Sequence, residues 1–343
     1  MFGDSAYPTY QAFLALAIAA AIVLAIMPLW IKLLKHEGIG QQVRADGPER
    51  HLIKQGTPTM GGVIMLVAIV LTCILFAKPT LELVLVVLAT VATGCVGLVD
   101  DMSKTVHERS LGLTPKAKMI SLTIIDLVFC LAVVNYCDVP AEVCFPGGFT
   151  IDLSPFSTTL TIGGEPFMIP WLYLVFVWLL MAGMSNAVNL TDGLDGLAGG
   201  TVMAAMMVMT AISFIDGDVN LCVFCAACAG SCIGFLWYNC YPASIFMGDT
   251  GSLALGAAFS SVAVVTNTEV ISLVVGALFI VEALSVIIQV VSFKLTGKRV
   301  FLMAPIHHHF EKKGWPENRV VIRFWIIAAA CGALGFALFF QLG

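Results

Sequence analysis

The sequence predicts an all-α integral membrane protein. Of its 343 residues, 59% are hydrophobic and only 11% charged, its mean hydropathy is +0.97, and the apolar residues gather into runs of membrane-spanning length. No water-soluble domain of this size could carry so much apolar surface. Ten runs can be marked, roughly 10–34, 60–77, 81–99, 117–135, 168–185, 199–215, 219–237, 252–267, 270–293 and 320–341. A hydrocarbon core of ~30 Å needs ~20 apolar residues per helix. The runs are continuously apolar rather than alternating, which excludes barrel strands. About ten transmembrane helices in one polytopic domain, 1–343, are expected.

Charge sets the orientation. Sixteen of the 17 Lys and Arg residues lie in or beside the loops of one face, among them Lys35, Arg44, Arg50, Lys54, Lys104, Arg109, Lys116, Lys298, Arg299, Lys312 and Arg319, and only Lys78 lies on the other. Basic loops stay in the cytoplasm, so both termini are placed outside. The residues before the first run hold Asp4 but no Lys or Arg, so the first helix is expected to be retained rather than cleaved. The net charge of −5 adds little, being segregated by face, and no nucleic-acid partner is expected. Most of the eleven cysteines lie inside runs, as small apolar residues. Cys222, Cys225, Cys228 and Cys232 have metal-like spacing but sit in an apolar helix, which favours packing. Cys137 and Cys144 could pair on an oxidising outer face.

The first basic loop ends in Lys54-Gln55-Gly56-Thr57-Pro58-Thr59-Met60-Gly61-Gly62. Backbone N–H groups of such a segment can cradle an anion, and the alternative is a glycine turn with Thr59 capping the second helix. The third run stops at Asp100-Asp101-Met102-Ser103-Lys104, placing two carboxylates where a helix meets water. At such a boundary a pair ~4 Å apart repels by about 4 kcal/mol, which calls for a cation or a shared proton. Farther on, Asp126 is an intramembrane acid, functional by default or a structural hydrogen-bonding group. The outer loop 136–167 holds two alternating stretches, Gly147–Leu153 and Thr159–Gly164, read as one small extracytoplasmic hairpin.

Three later segments return to the basic face. Asn189-Leu190-Thr191-Asp192-Gly193-Leu194-Asp195-Gly196 spaces polar groups by three, one face of a helical turn. In Phe246-Met247-Gly248-Asp249-Thr250-Gly251-Ser252 an acid meets a helix N-terminus, which suits a metal–phosphate site; simple capping by Asp249 is the alternative. The ninth run contains Glu282 and Gln289, is ~36 Å long if straight, and is expected to bend near Glu282–Gln289, leaving a lipid-facing groove toward Asp100. It exits into Pro305-Ile306-His307-His308-His309-Phe310-Glu311, where consecutive histidines cannot all face one ion but one or two could meet an anion.

Asp100/Asp101, Asn189/Asp192/Asp195, Asp249 and His307–His309 thus converge on the cytoplasmic face. Carboxylates repel a diphosphate unless a cation lies between them, so the set implies phosphoryl chemistry through a divalent ion, with Mg²⁺ the default for all-oxygen ligands. With these motifs the whole chain resembles the polyprenyl-phosphate N-acetylhexosamine-1-phosphate transferase family, and the Pro305–Glu311 motif resembles its muramoyl-pentapeptide branch rather than the branch using UDP-N-acetylglucosamine. The resemblance implies a bacterial cytoplasmic-membrane enzyme that moves phospho-MurNAc-pentapeptide from UDP-MurNAc-pentapeptide to undecaprenyl phosphate, giving lipid I and UMP, with membrane lipid around it and a homodimer left open. It implies a catalytic set of Asp100, Asp101, Asp249 and His307, with Asp249 on Mg²⁺ and Asp100 preparing the acceptor. It further implies that Lys54, Gly193, Leu194, Asp195 and Phe246 hold the uridine, that Thr59, Asn189, Asp192, Gln289 and His308 surround the sugar and diphosphate, and that Lys104 and Lys116 also bind substrate. Two rivals are a secondary transporter, whose acids would cluster at the midplane, and a non-catalytic lipid-binding scaffold.

Overall fold

The computed structural model describes residues 9–40, 56–106 and 112–341. Lys54, Arg44, Arg50, Arg109 and the residues before the first helix lie outside them. In chain order the first helices are α1 (Thr9–His36), α2 (Gly62–Phe76), α3 (Leu81–Val106), α4 (Pro115–Tyr136), α5 (Trp171–Thr191), α6 (Leu197–Ile215), α7 (Val219–Asn239) and α8 (Gly248–Val265). They are followed by α9 (Glu269–Val275), α10 (Ala277–Thr296), α11 (Ile306–Lys312) and α12 (Glu317–Phe339). Among the described residues nine helices are long and apolar enough to cross a membrane, making this a multi-pass membrane protein. The second of the ten expected spans is shorter: α2 has 15 residues, ~22 Å, less than a full hydrocarbon core.

Two expected boundaries move. Helix α3 does not stop at the carboxylates but continues to Val106, so Asp100 and Asp101 sit within it, each only 3% exposed. They are buried rather than wet, because α8 and the Gly112–Leu113 segment ahead of α4 close over them. The ninth run breaks at Gly276, between α9 and α10, and not near Glu282–Gln289, where α10 is continuous. Glycine inside an apolar run is the cheapest place to interrupt a helix.

The bundle is organised around α7 and α8, which are buried along most of their length, whereas α10 is largely exposed on the outside. Helix α8 is built for close packing: Ala254, Ala257, Ala258, Ser260 and Ser261 are all buried and small. Its serines satisfy themselves, Ser260 Oγ donating to the Gly256 carbonyl at 2.8 Å and Ser261 Oγ to the Ala258 carbonyl at 3.1 Å. Gly97 of α3 lies directly on the Asp249 carbonyl of α8, where any side chain would overlap it. That contact sets the α3–α8 separation and brings Asp100 and Asp101 beside Asp249.

The segment between α4 and α5 forms two hairpins instead of the single one expected. Strand β1 (Glu142–Phe145) pairs antiparallel with β2 (Phe149–Asp152), and β3 (Ser157–Ile162) with β4 (Glu165–Pro170). Each turns on its own Gly-Gly pair, Gly147-Gly148 and Gly163-Gly164, all at positive φ. The Gly147 and Gly148 N–H groups donate to the Gln341 carbonyl at 2.6 and 3.0 Å, so the first hairpin rests on the far end of α12.

Candidate active site

Three carboxylates from two helices meet at one end of the α3–α8 pair: Asp100, Asp101 and Asp249 each offer an oxygen within 4.8 Å of the others, a group that could hold a metal ion. Their hydrogen bonds differ. Asp101 points at the start of α8, Oδ1 accepting the Asp249 N–H at 3.0 Å and Oδ2 the Thr250 N–H at 3.0 Å and the Thr250 hydroxyl at 2.8 Å. A carboxylate there satisfies helix-end N–H groups and faces the positive end of the helix dipole. Asp249 therefore does not cap α8; Asp101 of α3 does. Gly248 turns the chain into α8 at φ 76°, and Asp101 and Thr59 close around it so tightly that only glycine fits.

Asp249 collects cations. Its Oδ2 lies 2.6 Å from Lys118 Nζ and 3.1 Å from Lys104 Nζ, and its Oδ1 accepts from Asn189 Nδ2 at 3.0 Å. Asn189, in the last turn of α5, also reaches Ser252 Oγ at 2.8 Å. Lys104 in addition pairs with Asp100 Oδ2 at 2.7 Å, one helical turn away. The remaining Asp100 oxygen accepts the Leu113 N–H at 2.8 Å, drawing the basic loop onto the site. The two ammonium groups stand where three clustered carboxylates most require positive charge. An all-oxygen set of this kind fits a hard divalent cation.

Lys118 was not singled out by sequence; Lys116, two residues earlier, is exposed. The glycine-rich segment before α2 does not offer its last two amides to an anion, because the Gly61 and Gly62 N–H groups donate to the Phe246 and Met247 carbonyls at 2.9 Å each. Thr59 does not cap α2 but lies against Gly248. These bonds fasten Phe246, half-buried, beside the carboxylates.

The 192–196 turn faces two ways. Asp192 and Gly193 are half-buried, whereas Leu194 and Asp195 are buried. Asp195 accepts the Ala243 N–H at 2.9 Å and donates its own N–H to Glu317 at 2.9 Å, while Gly196 is held by Asn239 and Trp325. The histidines diverge: His307 is fully buried beside Glu282, His308 Nδ1 is 2.7 Å from Glu311, and His309 Nδ1 accepts the Leu302 N–H at 3.1 Å. Gln289 braces residues 300–301, its amide bonded to backbone at 3.0–3.1 Å. Cys137 and Cys144 are free thiols, as are the four buried cysteines of α7.

Residues 83–267, spanning α3 to α8 and so all three carboxylates, match the model of glycosyl transferase family 4. The molecule is thus a membrane-embedded transferase, with its acidic centre on the α3–α8 pair. Residues 54–66 match phospho-N-acetylmuramoyl-pentapeptide-transferase signature 1. Proteins named phospho-N-acetylmuramoyl-pentapeptide-transferase are similar over nearly the whole chain. The one from Rubrobacter xylanophilus is 44% identical over 331 residues, 96% of this chain and 98% of its own length. Those from Corynebacterium jeikeium and Desulfitobacterium hafniense are 42% and 44% identical, over 96% and 94% of this chain and 97% and 96% of their own. The chain belongs to the phospho-N-acetylmuramoyl-pentapeptide-transferase family.

Proposed function

We propose that the chain transfers phospho-MurNAc-pentapeptide from UDP-MurNAc-pentapeptide to undecaprenyl phosphate, forming lipid I and releasing UMP, at the cytoplasmic face of a bacterial inner membrane. The observation that carries this reading is Asp249, held between Lys104, Lys118 and Asn189 and beside two further carboxylates. Family membership supports the substrate pair. The acceptor's tail stays in hydrocarbon and the nucleotide comes from water, so the two meet only at a helix end.

Asp249 is the principal ligand of a Mg²⁺ ion in this reading, with Asp100 contributing a second oxygen. The ion would neutralise the donor diphosphate and polarise the phosphorus under attack. Lys104 and Lys118, released from Asp249, bind phosphate oxygens. Asp100 orients the acceptor phosphate, whose oxygen attacks the donor's β-phosphorus while the bond to UMP breaks. Phe246 and the 192–196 turn accept the uridine. Asp101 acts by holding the start of α8.

The test offers the purified chain undecaprenyl phosphate together with either UDP-MurNAc-pentapeptide or UDP-N-acetylglucosamine, and follows UMP. Release from the first alone is the expected result. Release from UDP-N-acetylglucosamine instead would assign the chain to the other substrate branch, and release from neither would remove the reading.

A further inference from the structure

The buried pair Glu282–His307 joins α10 to α11. Both side chains are fully buried, and His307 Nδ1 stands 3.1 Å from Glu282 Oε2. The contact is close but not aligned: neither oxygen of Glu282 and neither nitrogen of His307 completes a hydrogen bond among the described residues. Four such atoms together in a buried interior are costly. A small rotation of the imidazole turns Nδ1–H onto Oε2 and settles two of them. The ring has little other freedom. On one side it packs edge-on against His308, ring centres 4.1 Å apart. On the other it fills the space over Gly193, where any side chain would overlap Nε2.

We propose that Glu282 is a positioning residue that fixes the orientation and tautomer of His307, so that the ring packs beneath Gly193 and holds the 192–196 turn in the shape that receives the donor. A carboxylate on one ring nitrogen selects which nitrogen carries the proton and where the other points. Nε2, fully buried against Gly193, then supports the backbone of the turn from beneath rather than touching the donor itself. Glycine at 193 follows from the same geometry. The inference rests on the transferase reading for the identity of the donor, but the Glu282–His307 coupling stands independently of it.

The experiment has two arms. In full-length protein labelled with ¹⁵N-histidine, the His307 signals are assigned by their loss in His307→Gln and then followed in Glu282→Gln and Glu282→Leu. Protonated Nδ1 in the wild type, and a changed ring signature in both Glu282 variants, is the expected result; an unchanged His307 signature in folded variants would overturn the proposal whatever the enzyme does. In the activity arm, Glu282→Gln is expected to lower kcat by roughly 10–100-fold with little change in KM for either substrate. His307→Gln lowers it at least as far, and the double variant is no slower than His307→Gln alone. Multiplying effects in the double variant, or full activity in Glu282→Gln, would contradict it. A wild type that turns over no UDP-sugar sinks the transferase reading and leaves the ring-nitrogen result to decide this one.

Discussion

Asp101 on α3 accepts both the backbone N–H and the hydroxyl of Thr250 on α8, at 3.0 and 2.8 Å. The acid adjoining Asp100 is therefore a cap supplied to another helix, and its bonds hold Asp249 in place.

Replacing Asp101 by Asn puts an amide where only acceptors are useful. Each lost bond to a buried donor costs on the order of 1–3 kcal/mol, and Thr250→Val, which removes one hydroxyl, about 1 kcal/mol. Thermal unfolding in detergent should rank Asp101→Asn below Thr250→Val and Thr250→Val just below wild type. Equal melting temperatures for Asp101→Asn and wild type would contradict the capping role.

The lysines are separated by the same logic. Lys118 touches Asp249 and Lys116 is exposed, so Lys118→Met should lower turnover by about 10², the scale of losing one charge-stabilising donor, and Lys116→Met by less than about twofold. Steady-state kinetics on the two single variants checks this; the reverse ranking would point to a different packing of the basic loop.

Much of the site was legible because its chemistry needs rare residues on one face. Asp100, Asp101, Asn189 and Asp249 stood out as polar groups at the ends of apolar runs, and the structure brings them together. Lys118 was not legible, since residues two apart on a helix face different ways and the phase of α4 is set by its packing and by Thr114, whose hydroxyl accepts the Ala117 N–H at 3.3 Å. The Asp101–Thr250 and Glu282–His307 partnerships join distant segments, and no local pattern announces them. The second hairpin and the break at Gly276 did leave signals: two Gly-Gly turns, each enough for its own hairpin, and a glycine within an apolar run.

Asp100 accepts the Leu113 N–H and pairs with Lys104, and in this account it prepares the acceptor rather than attacking the donor. An acceptor phosphate is already an anion that positioning and charge neutralisation suffice to activate. Asp100→Asn should slow turnover by roughly 10²–10⁴ while donor binding survives. Direct displacement also forbids exchange of labelled UMP into the donor without lipid. Robust exchange in protein stripped of co-purified lipid would establish a phospho-enzyme instead.

The central claim is that Asp249 gathers the cationic charge on which transfer depends. The most direct measurement is UMP release from UDP-MurNAc-pentapeptide and undecaprenyl phosphate across a Mg²⁺ titration, for wild type and for Asp249→Asn of matched thermal stability. The account predicts saturable Mg²⁺ dependence in the wild type, abolished by a chelator, and a loss of roughly 10²–10³ in the variant at every Mg²⁺ concentration. Turnover and Mg²⁺ response unchanged in Asp249→Asn would contradict it.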